Sequence, residues 1–590
     1  MLGVVVRLLL CVSAAVFGAS VFVCAEYTES LTLRPLLHSN KVLAHFHFAT
    51  KEPNVVTRSS SSSVFPKVLQ QILTKYGAES LHLTFSLGKY SDARYGPAQS
   101  FNSSNAFVNA PFGARLQVRL NTNRASIEES DAIAASGEDI QQRWRGITAE
   151  LGGIFSASLN QMDETVVTRP FPFDANPSAL GAFSMDNTAT SPDVLFLHAG
   201  LAREEICTEN LTPWLKMLPC RSITGLGKLI DPIKYLSGEY LSLSLFAAQS
   251  SSSGEWTLHQ HLTSVQALSA TERKAWSLRD VFLKSLPSDE KELDSCPLAN
   301  ESAIYTELPK EGFTMQQPGG FAQNFINDHP SRATPGAPVV HTINLKDKQV
   351  SLTEPWLKKN DGQQSILTPS QPRDITNVHR FVTGYGQVHG GISVRLENNH
   401  PVCAMRVTYH DIVPWYLRLY FNTFQAKAFL SPGNAAESAE LVRKFQFVPA
   451  DLRGCPNQLH LELVLPANSS LVFSIQLDKA FLRLSEHPPD ANRGFDVPSG
   501  IATFTPTAEN VDYGHQAVCA TFDEDMHAFT RTLFTEPLLV PLPTPDFSMP
   551  YNVITMTSTV VAFFVGSMLN TLLRKAPRIK QMMTKEPPTK

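Results

Sequence analysis

The sequence lacks the short motifs that mark the common hydrolases and nucleotide-binding enzymes. It contains no Gly-x-Ser-x-Gly nucleophile turn, no His-Glu-x-x-His zinc helix, no phosphate-binding loop and no Cys-x-x-Cys pair. Charged residues are also scarce, at 18% of 590 residues. We therefore expect a protein that is not itself an enzyme and that uses no cofactor and no metal.

The charges that are present lie unevenly along the chain. After Leu573, six Lys and Arg residues against Glu586 give a balance of +5, whereas Arg7 alone gives +1 before Glu26. Since the whole chain carries −4, removing +5 and +1 leaves −10 for residues 26–573. An acidic body is poorly suited to the phosphate backbone, which excludes nucleic acid as a partner.

The N-terminus has the pattern of a secretory signal. Arg7 precedes an apolar run over residues 8–23, and small residues at Val23 and Ala25 predict cleavage before Glu26. The alternative is an uncleaved anchor, but the apolar run is short for a membrane span.

A second apolar segment lies near the C-terminus. Val553–Leu573 contains no charged residue, and as a helix it would reach roughly 30 Å, the thickness of the hydrocarbon core. Basic residues stay cytosolic, so the tail at 574–590 predicts a type I protein with a lumenal body. The alternative is a removable lipid-anchor signal, but such signals end in their apolar segment.

Small residues recur within this segment at every fourth position. Ser558, Ala562, Gly566 and Asn570 would share one helix face, where small side chains allow close approach of another helix. We predict that this face packs against a membrane partner.

Short apolar runs between turn residues predict a mainly β chain with some α structure, an α+β body. A hairpin is expected over 31–48, a helix over 64–76 and a second hairpin over 459–477. Repeated short strands in the C-terminal half predict an antiparallel β-sandwich. The predicted organisation is a signal peptide (1–25), an N-terminal mixed α/β domain (26–250), an irregular region (251–370), a β-sandwich (371–550), a transmembrane helix (551–573) and a basic tail (574–590).

Six cysteines remain after signal cleavage, and disulfides are the default in an oxidising lumen. They are Cys207, Cys220, Cys296, Cys403, Cys455 and Cys519, which can pair in 15 ways. The glycosylation triplet Asn-x-Ser/Thr occurs at Asn102, Asn210, Asn300 and Asn468. Asn468 lies in a turn between two alternating runs, where a glycan would face solvent.

Two histidine pairs are the remaining candidates for chemistry. His259 and His261 could lie on one strand face as metal ligands, but without a carboxylate partner a surface pair is the better interpretation. His410 and Asp411 could be a base and its orienting carboxylate. Because neighbouring strand residues point to opposite faces, we predict a structural histidine instead.

Several stretches resemble one family. CTENLTPW at 207–214, VPWYLRLY at 413–420 and the run 535–554, from TEPLLV through LPTPDFSMPYNVI, are similar to the PIG-T subunits of the glycosylphosphatidylinositol (GPI) transamidase. The resemblance covers most of residues 26–573. The polar stretch 121–139 and the serine loop 59–63 look like insertions relative to the pattern of that family.

The resemblance implies a non-catalytic subunit of an endoplasmic reticulum membrane complex. That complex attaches GPI anchors to precursor C-termini, and a separate cysteine-protease-like subunit carries the chemistry. It further implies that Cys207 forms a disulfide with the catalytic subunit, that the other transamidase subunits are partners, and that contact with the GPI lipid is possible.

With Cys207 bonded to another chain, we predict the disulfides Cys220–Cys296 and Cys403–Cys455, with Cys519 free. The alternative is a local Cys207–Cys220 loop. Two other functions compete: a cell-surface type I receptor or adhesion glycoprotein, and a lumenal hydrolase.

Overall fold

The structure is a computed structural model of the chain. It describes residues 25–36, 41–53, 64–96, 109–122, 137–169, 194–250, 254–267, 275–282, 292–308, 313–315, 339–347, 349–353, 355–359, 375–384, 386–401, 403–430, 434–436, 441–487, 490, 492–507, 530–544 and 548–583. The predicted signal peptide, Asn102, Cys519 and the two presumed insertions lie wholly or mostly outside these residues.

The elements up to residue 360 combine short helices with strands. The strands are β1 (Glu26–Leu36), β2 (Lys41–Glu52), β3 (Ala78–Leu87), β4 (Gly113–Asn121), β5 (Val194–Leu201), β6 (Tyr240–Gln249), β7 (Trp256–Ala267), β8 (Ala275–Ser277), β9 (Glu292–Leu293), β10 (Glu301–Leu308), β11 (Phe313–Met315), β12 (Val339–Asn344), β13 (Val350–Ser351) and β14 (Pro355–Lys359). The helices are α1 (Lys67–Lys75), α2 (Asp92–Tyr95), α3 (Gly137–Phe155), α4 (Thr208–Lys216), α5 (Pro232–Tyr235) and α6 (Leu278–Phe282).

Nine of these strands form one sheet, in the order β12-β10-β1-β2-β7-β6-β3-β4-β5. Adjacent strands within this sheet are antiparallel, except that β1 and β10 run parallel. The hairpin predicted over 31–48 is confirmed as β1–β2, and the helix predicted over 64–76 as α1. The apolar side chains of α1, Leu69, Ile72 and Leu73, are buried in the large core beneath the sheet.

The expected domain boundary at residue 250 does not match this sheet. β7 lies between β2 and β6 near its centre, and β10 and β12 extend its edge, so strands between 256 and 344 belong to the N-terminal sheet. The irregular region predicted at 251–370 is therefore wrong in its first part. Long polar segments separate these strands, and pairing between strands that are distant in sequence leaves no local pattern.

The C-terminal half holds two facing five-stranded sheets. The strands are β15 (Thr376–Thr383), β16 (His389–Asn398), β17 (Ala404–Val413), β18 (Leu417–Leu430), β19 (Asn434–Ala436), β20 (Val442–Val448), β21 (Asn457–Leu465), β22 (Ser469–Lys479), β23 (Phe495–Val497), β24 (Ile501–Thr507), β25 (Arg531–Phe534) and β26 (Leu538–Val540). One sheet has the order β15-β16-β22-β18-β19 and the other β20-β21-β17-β24-β25, with β23 and β26 paired separately. The buried rings of Tyr409 and Phe473 meet between the sheets with centroids 5.4 Å apart. The predicted antiparallel sandwich is confirmed.

The hairpin predicted over 459–477 is wrong. β21 and β22 follow each other closely but belong to opposite sheets, so the turn at Asn468 carries the chain across the sandwich. Asn468 adopts φ +50°, a left-handed conformation that Asn tolerates better than most residues. Alternating strands joined by a short turn fit a hairpin and an arch between sheets equally well, and only the pairing distinguishes them.

The predicted Cys403–Cys455 disulfide is also wrong. β17 and β21 are antiparallel, so Cys403, before β17, lies at the Met405↔Leu465 end, while Cys455, before β21, lies at the opposite end. Ten residues of strand span about 30 Å, whereas a disulfide needs Cα atoms about 5.5 Å apart. Cys455 is a free thiol, and Cys403 takes part in another disulfide.

The C-terminal helix belongs to a second compact unit, made of residues 480–494 and 541–590. Among the described residues, one helix is long and apolar enough to cross a membrane: α7 (Ser548–Met583), whose segment Tyr551–Leu573 has a mean hydropathy of 1.6. The span predicted from the sequence is this segment.

A buried ion pair joins the two sheets of the C-terminal sandwich. Arg380 of β15 pairs with Asp411 of β17, with side chains 0% and 2% exposed, and Tyr409 donates its hydroxyl to Asp411 at 2.8 Å. The same guanidinium donates to the carbonyls of Val497, Pro498 and Glu536. Arg380 therefore holds three separate segments with one side chain.

Glu536, in the family-like run 535–554, joins this sandwich to the N-terminal sheet region. Its carboxylate accepts from Lys89 Nζ and His379 Nδ1, both at 2.8 Å, and from the Arg380 amide at 3.0 Å. Burial alone would raise the pKa of Glu536, but its hydrogen bonds with His379 and Lys89 hold that pKa well below its ordinary value. Glu536 therefore has a structural role at this junction.

We predict that Arg380→Met lowers the free energy of unfolding by about 3–5 kcal/mol, because it leaves the Asp411 charge buried without its partner. The double variant Arg380→Met/Asp411→Leu should lose less than the single variant. Denaturant unfolding of the full chain in detergent measures both. As a control, Arg395→Met, which breaks the more exposed pair with Glu397, should cost at most about 1 kcal/mol. Equal midpoints for wild type and Arg380→Met would contradict this role.

Candidate partner-attachment site

Helix α4 begins directly after Cys207, and a neighbouring asparagine caps it. Asn210 Oδ1 accepts from the Cys207 backbone N–H at 3.0 Å, and Asn210 Nδ2 donates to the Glu205 carbonyl at 3.1 Å. A side-chain bond between the third helical residue and the cap residue is half of a capping box. Asn210 thereby fixes the backbone on which Cys207 sits.

The helix is anchored on the sheet through its buried face. Trp214 is fully buried, donates Nε1–H to the Ser244 carbonyl at 3.0 Å and meets the Phe48 ring edge-on at 6.0 Å. Gln260 donates to the Trp214 carbonyl at 3.0 Å, so β7 also holds the helix. An aromatic anchor with its polar atom satisfied is stable and specific in orientation.

A disulfide braces the chain just beyond the helix. Cys220 and Cys296 are bonded, with Cα atoms 6.0 Å apart, which confirms the pairing predicted with the family resemblance. This pairing excludes the alternative Cys207–Cys220 loop.

Buried Glu29 organises the segments around this bond. It accepts from the Ser302 hydroxyl at 2.6 Å, the Cys296 amide at 3.3 Å and the Leu226 amide at 3.2 Å. Burial raises the pKa of the Glu29 carboxyl despite these hydrogen bonds. The glutamate therefore ties β1 to both segments that hold the disulfide.

Cys207 itself carries a free thiol and is half-buried. It starts a helix that is capped by Asn210, anchored by Trp214 and followed by a disulfide. The arrangement fixes the backbone of one oxidisable thiol, and a second chain with a suitably placed cysteine could form a disulfide with it under oxidising conditions. Cys455 is the other free, half-buried cysteine among the described residues.

The predicted glycan acceptors differ in their surroundings. Asn210 is 0% exposed, and both polar atoms of its side chain make the capping bonds, so a glycan there does not fit the folded chain. The prediction for Asn210 is corrected on this ground. Asn300 and Asn468 are exposed and stay candidates.

The histidines at 259 and 261 are not a surface pair. His261 is 2% exposed and His259 is half-buried, and strand pairing brings in His47 from β2. One ring nitrogen from each of the three lies within 4.8 Å of the others. The sequence could show that His259 and His261 share a strand face, but not which strand lies beside them.

His410 and Asp411 are adjacent but have different surroundings. The His410 ring lies 6.3 Å from that of His460, whereas Asp411 bonds Arg380 and Tyr409. Burial lowers the pKa of His410 to about 3. The two side chains do not form a base and its orienting carboxylate.

The small-residue face of the span is exposed within this chain. Ser558, Ala562, Gly566 and Asn570 are exposed, and a Cβ atom at Gly566 would meet no described atom within 4 Å. Ser558 satisfies its hydroxyl on the Ile554 carbonyl. Packing of this face against another helix stays a prediction.

The fold and the capped helix define a class: a β-rich protein whose described residues include one candidate membrane span and a free thiol at the start of an anchored helix. The family model described as "Gpi16 subunit, GPI transamidase component" matches residues 8–273 and 260–590. The chain belongs to this family.

Curated relatives agree over almost the full length. The chain is 33% identical to the human "GPI-anchor transamidase component PIGT" over 92% of this chain and 90% of that protein. It is 27% identical to the Saccharomyces cerevisiae "GPI transamidase component GPI16" over 94% of this chain and 89% of that protein. Against solved structures, a collagen-binding subdomain of the Enterococcus faecalis surface protein ACE matches 28% of this chain and 98% of its own at 9% identity and a TM-score of 0.18, which carries no argument.

We predict that Asn468→Gln migrates faster on a gel than wild type, because it lacks one glycan. Asn210→Gln should migrate like wild type. The reason is that Asn468 is exposed at a turn and Asn210 is buried in a cap. Glycosidase digestion should bring wild type and Asn468→Gln to the same mobility. A band shift in Asn210→Gln that digestion abolishes would show that the buried position carries a glycan.

Proposed function

We propose that this chain is a non-catalytic component of a GPI transamidase and holds the catalytic subunit through a disulfide at Cys207. Membership of the Gpi16 family supports the assignment to the complex. The observation that carries the finer proposal is the free thiol of Cys207 at the start of a capped and anchored helix.

The geometry suits attachment better than catalysis. Among the described residues, no histidine is hydrogen-bonded to the thiol of Cys207 or to that of Cys455. The Cys455 thiol donates to Asp451 at 3.5 Å. A nucleophilic thiol needs a base within hydrogen-bond reach. A fixed thiol without such a base suits a bond to a second cysteine.

The proposed location is the endoplasmic reticulum membrane, with the body in the lumen. The Cys220–Cys296 disulfide supports an oxidising compartment, and the span Tyr551–Leu573 followed by basic residues supports a cytosolic tail. The exposed small-residue face of the span would pack on other subunits of the complex and line the approach of the lipid substrate.

We predict that Cys207→Ser abolishes the high-mass band that joins this chain to its cysteine-protease-like partner on a non-reducing gel. The change removes the only sulfur proposed to bond that partner and leaves the helix cap, which uses the Cys207 backbone. The measurement is a non-reducing gel of the complex solubilised in mild detergent, with the surface level of a GPI-anchored reporter as a second readout.

The matched control is Cys455→Ser, the other free and half-buried thiol. It should leave both the band and the reporter unchanged. Persistence of the band in Cys207→Ser, or its loss in Cys455→Ser, would show that the attachment is wrongly placed.

Glycan processing tests the location against the receptor or adhesion alternative, which family membership already disfavours. We predict that the Asn468 glycan stays sensitive to endoglycosidase H, because a resident of the endoplasmic reticulum does not reach the enzymes that make complex glycans. The assay compares wild type with Asn468→Gln. Resistant glycans at steady state would contradict the proposed location.

A further inference from the structure

Four histidines form a row on the face of the nine-stranded sheet that lies opposite α4. In the antiparallel pairing of β2 with β7, His47 lies directly across from His261, Ala49 across from His259, and His45 across from Thr263. Since side chains alternate along a strand, all four imidazoles point to the same face. Phe46 and Phe48 point to the other face, towards the core.

The three imidazoles of His47, His259 and His261 lie close together, and a rearrangement of the rings would let them bind one ion. His47 Nε2 is 3.1 Å from His259 Nδ1, and one nitrogen from each ring lies within 4.8 Å of the others. In a tetrahedral zinc site with Zn–N bonds of about 2.0–2.1 Å, two ligand nitrogens are about 3.3 Å apart. The hydrogen-bonded nitrogens of His47 and His259 are close to this spacing, and the nitrogen of His261 lies within 4.8 Å of the other ligand atoms.

A fourth histidine, His45, contacts His261 and can fix the orientation of its ring. His45 Nδ1 lies 2.8 Å from the Thr263 hydroxyl, and His45 Nε2 lies 3.5 Å from His261 Nδ1. When His45 donates through Nδ1 to Thr263, its Nε2 accepts the Nδ1 proton of His261, and Nε2 becomes the basic nitrogen of His261. Metal-binding histidines are held in one tautomer by such partners.

Neutral imidazole is the ligand form of histidine, so each of the three rings must bind the ion through a nitrogen that carries no proton.

We propose that His47, His259 and His261 bind a divalent ion of the zinc class. Three imidazoles without a thiolate favour Zn²⁺ and neighbouring transition ions over Mg²⁺ or Ca²⁺, which prefer oxygen. Three neutral ligands leave the charge of the ion in place and a fourth position open, which water, hydroxide or a carboxylate can fill. The site is independent of the proposed attachment at Cys207.

Binding requires a local rearrangement of the rings. His47 stacks on His261 at 4.4 Å between centroids with planes 4° apart, and on His259 at 5.4 Å with planes 8° apart. Lone pairs in parallel planes cannot meet at one point, so the rings must turn about their Cβ–Cγ bonds. His259 is the most exposed of the three, since His47 and His261 are buried.

The test is a titration of the full chain, purified in detergent with an affinity tag that contains no histidine and stripped with a chelator. We expect one Zn²⁺ per chain by calorimetry and a rise in the thermal unfolding midpoint with added Zn²⁺. Co²⁺ should give the visible absorption of a tetrahedral nitrogen site. His259→Gln and His261→Gln should lose stoichiometric binding, and His45→Asn should weaken it about 10–100-fold.

The matched control is His82→Gln. His82 is a buried histidine on β3 of the same sheet; it is hydrogen-bonded to the Ser244 hydroxyl at 2.9 Å and is not one of the three proposed ligands. It should keep one Zn²⁺ per chain. Near-UV circular dichroism without metal confirms that each variant folds. If His261→Gln does not fold, His259→Gln, at the half-buried position, provides the test. Absence of Zn²⁺ binding in wild type, or equal binding in wild type and His259→Gln, would overturn the proposal.

Discussion

The pairing of β2 with β7 is the constraint on which both candidate sites depend. The two strands are about 200 residues apart in sequence and run antiparallel from Lys41↔Ala267 to Glu52↔Trp256. One face of the pair brings Phe48 and Gln260 against Trp214, and the other brings His47 against His261. A register slip of one residue would exchange the two faces and put imidazoles under the helix. The contacts that anchor α4 on β2 and β7 therefore depend on this register.

Local features of the fold could be predicted from the sequence. The β1–β2 hairpin, α1 and the span Tyr551–Leu573 each depend on residues that are close in sequence, where alternation, helical spacing or apolar length is a direct physical signal. The Cys220–Cys296 bond was also predicted, but from the family resemblance, since six cysteines allow 15 pairings.

Features that depend on which strand lies beside which could not be predicted. The residues of β21 and β22 alternate as those of a hairpin would, yet the two strands belong to different sheets. The antiparallel pairing of β17 with β21 places Cys403 and Cys455 at opposite ends of that strand pair. His47 joins His259 only through a ladder that closes over some 200 residues. The role of Asn210 could not be predicted from the sequence either. Its short sequence fits both a glycosylation triplet and a helix cap, and the burial of Asn210 decides between the two.

The rigid mount of Cys207 has an energetic consequence for the proposed attachment. A disulfide forms only when two Cα atoms come to about 5.5–6 Å with suitable directions, so a thiol on a mobile loop would lose conformational entropy on bonding. The cap by Asn210 and the anchor at Trp214 remove that cost before the partner arrives. A membrane span on the same chain would add a second tether, which raises the effective concentration of the thiol near a membrane-bound partner. The two features together explain why an attachment cysteine would lie at a braced helix start.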